Sequence, residues 1–355
     1  MKTVTCFAHP YTEIEDCWIP MTDGVRLAGK LWLARWSKRL RTRWISRRPD
    51  IGIVAFLLLF VASAPTSAAS TAEILKFTHQ DVTRTAILYR PASIAEREAP
   101  VVIALHGFTA SGEWLRAELQ LDRVADREQF VTVYPDAVDG AWSFGQSVSL
   151  PMPTVGGATV DDIGFIRMLI DDLVKRKIGD PKRIYITGTS RGGSMTYTLA
   201  CVLGERLAAV APLIAPMTEH QRDNCQPGRA VPIMVIAGTS DPAMSFDGAQ
   251  GSVGRLLSVT DTMEFWRSLH GCACSDSRAL PSRVPGDATH VTLIEWNGCG
   301  SNAKVRLYRV DGGGHQIPSL SLKPSPLPEQ RFGPRNHDIE TAEALWAFFR
   351  NFVAP

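Results

Sequence analysis

Two kinds of apolar pattern alternate along the chain after residue 70. Short continuous apolar runs, such as PVVIALHG (100–107) and VPIMVIAG (231–238), are typical of strands buried on both faces of a parallel sheet. The segment 161–177 instead places apolar residues three or four positions apart, which predicts an amphipathic helix. The apolar face of this helix consists of Ile163, Ile166, Ile170 and Leu173. Strands separated by helices predict an α/β fold, with a mostly parallel central sheet flanked by helices.

The same patterns predict the other elements of the fold. The predicted strands are 81–91, 130–136, 183–188, 208–215, 291–296 and 304–310. The predicted helices are 113–129, 192–207, 260–272 and 338–352. Residues 137–160 show no helical period and contain several glycines and prolines, so they are predicted to form a long loop. The proline-rich stretch 319–335 is predicted to form a second surface loop.

The first 69 residues differ from the rest in charge and pattern. They hold ten of the 38 Lys and Arg residues but only five of the 36 Asp and Glu residues, so the remainder is slightly acidic and does not predict a nucleic-acid-binding surface. A basic stretch (35–48), a short apolar run (51–64) and a group of small residues follow one another as in a secretory signal peptide. A membrane span needs about 20 apolar residues. We therefore predict a signal peptide at 35–69, a secreted or periplasmic product and no stable membrane anchor; an uncleaved anchor is the alternative.

Residues 1–34 precede the predicted signal peptide. The stretch EDCWIPMTDGVRLAGKLWLA (15–34) resembles the first β-hairpin of the cocaine-esterase-like acyl hydrolases. We interpret 1–34 as a fused fragment or as the product of a wrongly assigned start, with a folded leader as the alternative. Residues 70–355 are predicted to form one large domain.

The hexapeptide GTSRGG (188–193) lies between a predicted strand and a predicted helix. It fits the G-x-S-x-G pattern of a nucleophile elbow, in which a tight turn projects a serine hydroxyl above the sheet and the glycines leave room for the turn. The N-terminus of the following helix adds a positive field and N–H groups that suit a developing oxyanion. Ser190 is therefore the candidate nucleophile.

A serine hydroxyl is a weak nucleophile unless a base takes its proton and an acid orients that base. His315, in VDGGGHQIP after a predicted strand, is the candidate base. Asp241, near the end of VPIMVIAGTSDP, is the candidate acid, and Asp247 is the alternative. The chain order of serine, aspartate and histidine is that of the α/β-hydrolases.

The loop ALHGFTASG (104–112) is expected to supply part of an oxyanion hole. Because Gly107 lets the backbone come close, the N–H of Phe108 is predicted to be one donor, and the N–H of Arg191 the other. His106 is expected to pack or form hydrogen bonds within this loop rather than to transfer protons.

Taken in order, these segments resemble the polyhydroxybutyrate depolymerase/feruloyl esterase family of secreted α/β-hydrolases over residues 75–352. The matching segments are LHGF, YPDA, AWSF, VDDIGFI, RIYITGTSRGG, LAAVAP, IAGTSDP and GGGHQIP. The resemblance implies an α/β-hydrolase catalytic domain and places the triad on Ser190, Asp241 and His315. The sequence differs from many members at two cleft positions, with Phe108 in place of a cysteine and Ile317 in place of an aromatic residue.

Five of the seven cysteines follow residue 69, where an oxidising compartment would allow disulfides. Their spacing does not fit a zinc site. The resemblance implies the pairs Cys201–Cys225 and Cys272–Cys299, which leaves Cys274 free. The residues alone do not decide whether Cys272 or Cys274 pairs with Cys299.

These features predict a secreted serine carboxylic-ester hydrolase, similar to feruloyl esterases, that cleaves aryl or carbohydrate-linked esters through an acyl-enzyme. The alternative is a depolymerase of polyhydroxybutyrate or another short-chain polyester that uses the same triad; a peptidase and a catalytically silent binding protein are further alternatives. Trp142 and Phe144 are predicted to form an aromatic wall that binds the substrate. No cofactor, metal or nucleic acid is predicted, and the protein is expected to be a monomer acting on a small-molecule or polysaccharide-linked ester.

Overall fold

The computed structural model of the protein describes residues 2–4, 11–20, 26–34, 70–144, 153–155, 158–251, 254–300, 303–322 and 329–355. The chain divides into two compact units, one formed by residues 1–5 and 68–355 and the other by residues 6–67. The predicted signal peptide lies outside the described residues, so that prediction stays open. No helix in the described part of the chain is long and apolar enough to cross a membrane.

The secondary structure elements are numbered in chain order. The strands are β1 (Lys2–Val4), β2 (Tyr11–Pro20), β3 (Arg26–Ala34), β4 (Thr71–His79), β5 (Val82–Arg90), β6 (Ala99–Leu105), β7 (Val131–Pro135), β8 (Thr154–Val155), β9 (Ala158–Thr159), β10 (Gly179–Thr189), β11 (Ala209–Leu213), β12 (Ile233–Gly238), β13 (Ala249–Gly251), β14 (Gly254–Leu256), β15 (Cys274–Ala279), β16 (His290–Asn297) and β17 (Val305–Asp311). The α-helices are α1 (Gly112–Leu119), α2 (Leu121–Glu128), α3 (Asp162–Lys175), α4 (Arg191–Val202), α5 (Glu219–Asn224), α6 (Val259–Leu269), α7 (Glu329–Phe332) and α8 (Thr341–Phe349).

An 11-stranded sheet forms the centre of the larger unit, in the order β1-β15-β16-β17-β12-β11-β10-β6-β7-β5-β4. The six strands from β17 to β7 in this order run parallel, and antiparallel strands extend both edges. Every residue of β6, β11 and β12 is buried, as their continuous apolar sequences predict. The sheet and its helices confirm the predicted α/β-hydrolase fold. In the smaller unit, β2 and β3 form an antiparallel pair.

Apolar side chains cover the sheet on both faces. Alternate residues of β6 point to opposite sides, so Ile103 belongs to one apolar cluster and Val102 to the other. The first cluster includes buried residues of α3, α4 and α6, and the second includes those of α1, α2 and α8. This double covering leaves the ends of the strands as the places where a site can be built.

The structure corrects one predicted helix. Residues 113–129 form two helices, α1 and α2, because Gln120 between them has a left-handed conformation with φ 50°. Left-handed backbone ends a helix, and glutamine gives little sign of it in a sequence because glycine is the usual residue there. Strands β4 and β15 and helix α5 were not among the predicted elements, since their short or polar sequences lack a clear apolar period.

The structure contains the two disulfides that the resemblance implies, Cys201–Cys225 and Cys272–Cys299. The expectation that Cys274 is free is wrong, because this residue is also disulfide-bonded. Cys272 is therefore the partner of Cys299, and it is buried in the apolar core, whereas Cys274 begins the partly exposed strand β15. Disulfides of this kind are typical of proteins in oxidising compartments.

Candidate active site

Ser190 lies in a sharp turn between β10 and α4. Its backbone has φ 54° and ψ −118°, a conformation that residues other than glycine rarely adopt. The flanking glycines are required because the backbone passes close to both. A Cβ atom on Gly188 would lie 2.3 Å from the carbonyl oxygen of Gly192, and one on Gly192 would lie 2.2 Å from that of Leu105. The predicted elbow is therefore present. A side chain at either glycine would collide with backbone carbonyl oxygens.

His315 lies between the serine and an aspartate. Its Nε2 is 2.9 Å from Oγ of Ser190, and its Nδ1 is 2.7 Å from Oδ2 of Asp241. The Asp241 side chain is only 2% exposed and that of His315 10%, so bulk water does not compete strongly for these contacts. Asp247, the alternative acid, is exposed and forms no hydrogen bond with His315 in the described structure. The geometry thus brings together the three residues predicted for a triad.

Backbone groups fix the acid and the base. Oδ1 of Asp241 accepts hydrogen bonds from the N–H groups of Ala243 and Met244, both at 2.8 Å, which leaves Oδ2 for the imidazole. The N–H of His315 donates to the carbonyl oxygen of Phe332, and the Phe332 ring stacks beside the imidazole with the centroids 6.4 Å apart. The carboxylate therefore sets the direction of Nδ1, and the neighbouring segment holds the imidazole in place.

The second side of the site is the predicted oxyanion loop, defined here as residues 106–110, which follows β6. His106 is buried, its Nε2 accepts a hydrogen bond from Ala137 N–H at 3.0 Å, and its Nδ1–H therefore donates to Gly107 O at 2.7 Å. Burial lowers the pKa of His106, which favours this neutral tautomer. Because C=O and N–H of a trans peptide point in opposite directions, the bond to Gly107 O turns the N–H of Phe108 away from His106. His106 thus acts within the loop, as expected.

The two predicted oxyanion donors lie on either side of the nucleophile. A Cβ atom on Gly107 would be 3.5 Å from Cβ of Ser190, so the Phe108 peptide adjoins the serine. Arg191 is the first residue of α4, and its N–H belongs to the N-terminal turn of that helix. The Arg191 side chain is buried and its guanidinium lies 5.5 Å from the Phe108 ring centroid. Burial lowers the pKa of this guanidinium, and the charge of Asp162 acts in the opposite sense.

Trp142 and Phe144 do not form the predicted aromatic wall. Trp142 is fully buried and Phe144 is 5% exposed, both in the apolar core beneath the site, and neither lines the cleft. The prediction was wrong because a loop without helical period can still bury its aromatic residues. Trp142 instead donates its indole N–H to the carbonyl oxygen of His106 at 2.9 Å.

A cleft of about 380 Å³ opens at Ser190 and His315. Three aromatic side chains line it: Phe108 and Trp114, each 41% exposed, and Phe332. Glu118 and Arg335 form an ion pair of 3.0 Å in its wall. Sequence reasoning missed Trp114, although a large aromatic residue on the solvent side of a helix next to the oxyanion loop was a usable signal. Within the described ranges, no cluster of three or more His, Cys, Asp or Glu residues could hold a metal ion.

Comparisons with known proteins bear on the family. No family model matches the chain. Feruloyl esterase B from Piromyces equi is 26% identical over 231 residues, which are 62% of this chain and 40% of that protein. A bifunctional acetylxylan esterase/xylanase from Neocallimastix patriciarum is 24% identical over 237 residues, covering 66% of this chain and 31% of that protein. The chain is thus similar in sequence to feruloyl and acetylxylan esterases. It spans less than half the length of either relative.

A solved structure supports the α/β-hydrolase fold of the chain. The crystal structure of a thermostable esterase superposes with a TM-score of 0.50 at 16% identity, over 80% of this chain and 63% of the other. At this identity the similarity shows the fold alone. The predicted likenesses to polyhydroxybutyrate depolymerases and, for residues 15–34, to cocaine-esterase-like hydrolases stay predictions.

Proposed function

We propose that the chain is a serine carboxylic-ester hydrolase in which Ser190, His315 and Asp241 form the catalytic triad. The observation that carries this proposal is the continuous contact from Ser190 Oγ through the imidazole to the Asp241 carboxylate, at 2.9 and 2.7 Å. Both distances lie in the range needed for proton transfer and for orientation of the base. Ser190 and His315 line one cleft, and the buried Asp241 carboxylate contacts the imidazole of His315.

The mechanism follows from this geometry. Ser190 Oγ attacks the ester carbonyl carbon, and His315 Nε2 takes the hydroxyl proton while Asp241 stabilises the resulting imidazolium. The N–H groups of Phe108 and Arg191 bind the oxyanion of the tetrahedral intermediate. The C–O bond to the alcohol then breaks, and His315 returns the proton to the leaving oxygen. Water repeats these steps on the acyl-enzyme and releases the acid.

The substrate class that we propose is an aryl ester or a carbohydrate-linked ester, with a hydroxycinnamoyl group as the acyl part. Two features support it: the names of the relatives, feruloyl esterase and acetylxylan esterase/xylanase, and the cleft aromatics Phe108, Trp114 and Phe332. Flat phenolic rings stack on such side chains, with a gain of about 0.5–1.5 kcal/mol beyond burial. The two disulfides support the further proposal that the protein is exported and acts outside the cytoplasm.

A panel of esters tests the proposed function. We expect turnover of methyl ferulate and of 4-nitrophenyl acetate, with release of the alcohol. Hydrolysis of a polyhydroxybutyrate film without any turnover of hydroxycinnamates would replace the proposed substrate by the polyester. Release of amines from peptides and not of alcohols from esters would contradict the reaction class.

Trp114 offers a test of the acyl site. Because its indole lines the cleft and belongs to neither the triad nor the oxyanion loop, Trp114→Ala should raise KM for methyl ferulate by about two- to tenfold through lost stacking. KM for 4-nitrophenyl acetate, whose acyl group is too small to stack, should stay within about twofold. Equal changes for both esters would remove Trp114 from the acyl site.

A further inference from the structure

The segment that follows β7 holds the oxyanion loop in place. Three hydrogen bonds join the two: Ala137 N–H to His106 Nε2 at 3.0 Å, Thr109 N–H to Gly140 O at 2.9 Å, and Trp142 Nε1–H to His106 O at 2.9 Å. The third is donated by a fully buried side chain. The loop that carries one oxyanion donor is therefore braced by residues 137–142.

Trp142 also contacts the residue that carries the other oxyanion donor. Its carbonyl oxygen accepts a hydrogen bond from Arg191 Nε at 2.9 Å, and Arg191 directly follows Ser190. The same residue thus binds the oxyanion loop through its indole and the nucleophile elbow through its main chain.

The segment around Trp142 is itself fixed to the core. Ser143 N–H donates to Oδ2 of Asp162 at 2.6 Å, and Oδ1 of Asp162 pairs with Arg84 at 2.5 Å. Arg84 and Asp162 are 2% and 0% exposed. A buried pair of opposite charges with hydrogen bonds on both carboxylate oxygens is costly to disrupt, so the position of residue 143 is well defined. Trp142 is therefore a rigid link between the core and both sides of the oxyanion hole.

We propose that Trp142 is a positioning residue of the oxyanion hole, which it serves by fixing the separation and direction of the Phe108 and Arg191 N–H groups. The indole N–H fixes the His106 carbonyl, and His106 in turn fixes the Gly107–Phe108 peptide. The Trp142 carbonyl fixes Arg191. Donors aimed in advance at developing charge stabilise the transition state more than the bound substrate, so their misplacement lowers kcat more than it changes KM. The proposal rests on the proposed ester hydrolysis at Ser190.

The test is Trp142→Phe, which keeps an aromatic ring and removes the indole N–H. Trp266→Phe is the matched control, because Trp266 is equally buried and its indole N–H has no hydrogen-bond partner within the described part of the chain. Steady-state kinetics are measured on 4-nitrophenyl acetate, with active sites counted by titration with a fluorophosphonate. We expect kcat per active site to fall about tenfold or more in Trp142→Phe, with KM within about twofold, and to stay at the wild-type value in Trp266→Phe.

A transition-state analogue gives a second readout that a merely structural role would not change. A trifluoromethyl ketone forms a tetrahedral adduct whose oxyanion needs both donors, so its Ki should rise in Trp142→Phe by about the factor lost in kcat. An unchanged kcat and Ki per active site would overturn the proposal.

If Trp142→Phe is insoluble, Arg191→Met takes its place, because this variant removes the Nε donor and keeps the main-chain N–H of residue 191. A wild-type kcat in Arg191→Met would equally overturn the proposal. Failure of the proposed function is distinct, because the wild-type protein would then cleave none of the esters.

Discussion

Ser190 is held in an unfavourable backbone conformation by its neighbours on both sides. Its N–H donates to the carbonyl oxygen of Leu213 in β11, and its own carbonyl accepts from Ser194 in the first turn of α4, both at 3.0 Å. Positive φ at a non-glycine residue persists only where the surrounding structure fixes it, and such positions concentrate at functional sites. The strained turn is what places the hydroxyl 2.9 Å from the imidazole of His315.

Another histidine, His270, has no part in the proposed reaction but is expected to affect the stability of the fold. His270 is 3% exposed, and neither of its ring nitrogens has a hydrogen-bond partner among the residues that the structure describes. Burial, with a smaller contribution from the charge of Arg229, lowers the pKa of His270 from 6.5 to about 4. In the folded protein the imidazole therefore stays neutral down to about pH 4, whereas the unfolded chain takes up the proton near pH 6.5.

This difference predicts a loss of stability in acid. The unfolded state binds more protons between pH 6.5 and 4, so the contribution of His270 to the free energy of unfolding is fully present above pH 6.5 and is lost as the pH falls through 4. The loss amounts to about 3 kcal/mol at most. In His270→Phe this part of the pH dependence should disappear. Thermal unfolding of the wild-type protein and of His270→Phe, measured from neutral pH down to pH 4, checks this prediction. Parallel curves of Tm against pH for the two proteins would show that His270 is not the source of the acid sensitivity.

At the scale of elements, the disulfide Cys201–Cys225 ties α4 to the segment after α5. Cys201 lies in the last turn of α4, the helix that begins directly after Ser190, and the bond closes a loop with a sequence separation of 24. Helix α5 has only six residues and would be marginal on its own, although the capping box of Thr218 and Gln221 supports its start. The disulfide therefore stabilises a part of the fold that has little regular structure.

Removal of this disulfide should lower stability without abolishing the chemistry. In the chain-entropy account a loop of this length contributes roughly 3 kcal/mol. The double variant Cys201→Ser, Cys225→Ser should therefore lose roughly that free energy of unfolding, measured in urea. We expect kcat to change by less than about threefold, because neither cysteine lines the cleft at Ser190 and His315. Equal stability of the variant and the wild-type protein would show that the loop is held by other contacts.

Much of the central sheet, and the choice of the three residues that meet at 2.9 and 2.7 Å, could be predicted because both leave local marks in the sequence. Continuous apolar runs mark β6, β11 and β12, and a glycine-flanked serine between a strand and a helix marks the elbow. The division of residues 113–129 into two helices could not be predicted, because it depends on Gln120, a left-handed residue that is not glycine. The burial of Trp142 could not be predicted either, because it depends on contacts with residues distant in sequence. The disulfide state of Cys274 likewise depends on tertiary structure.

At the scale of the whole molecule, the parallel sheet brings distant segments to one edge. Ser190, Asp241 and His315 follow β10, β12 and β17, and these strands run parallel within the same sheet. The oxyanion loop follows β6, the neighbour of β10 on the other side. The carboxyl ends of parallel strands lie at the same edge of a sheet. The sheet therefore brings Ser190 and His315 into contact, although they are 125 positions apart in the sequence.

The central claim is that Ser190 is the nucleophile of this arrangement, and the rate of ester hydrolysis by Ser190→Ala tests it most directly. Ser194→Ala is the matched control, because Ser194 lies one turn further in the same helix and its buried hydroxyl has no hydrogen-bond partner in the described structure. With 4-nitrophenyl acetate as substrate, Ser190→Ala should lose a factor of about 10⁴ or more in kcat, and Ser194→Ala should stay within about threefold of the wild-type protein. A Ser190→Ala variant that is folded and keeps more than about a tenth of the wild-type kcat would contradict the claim.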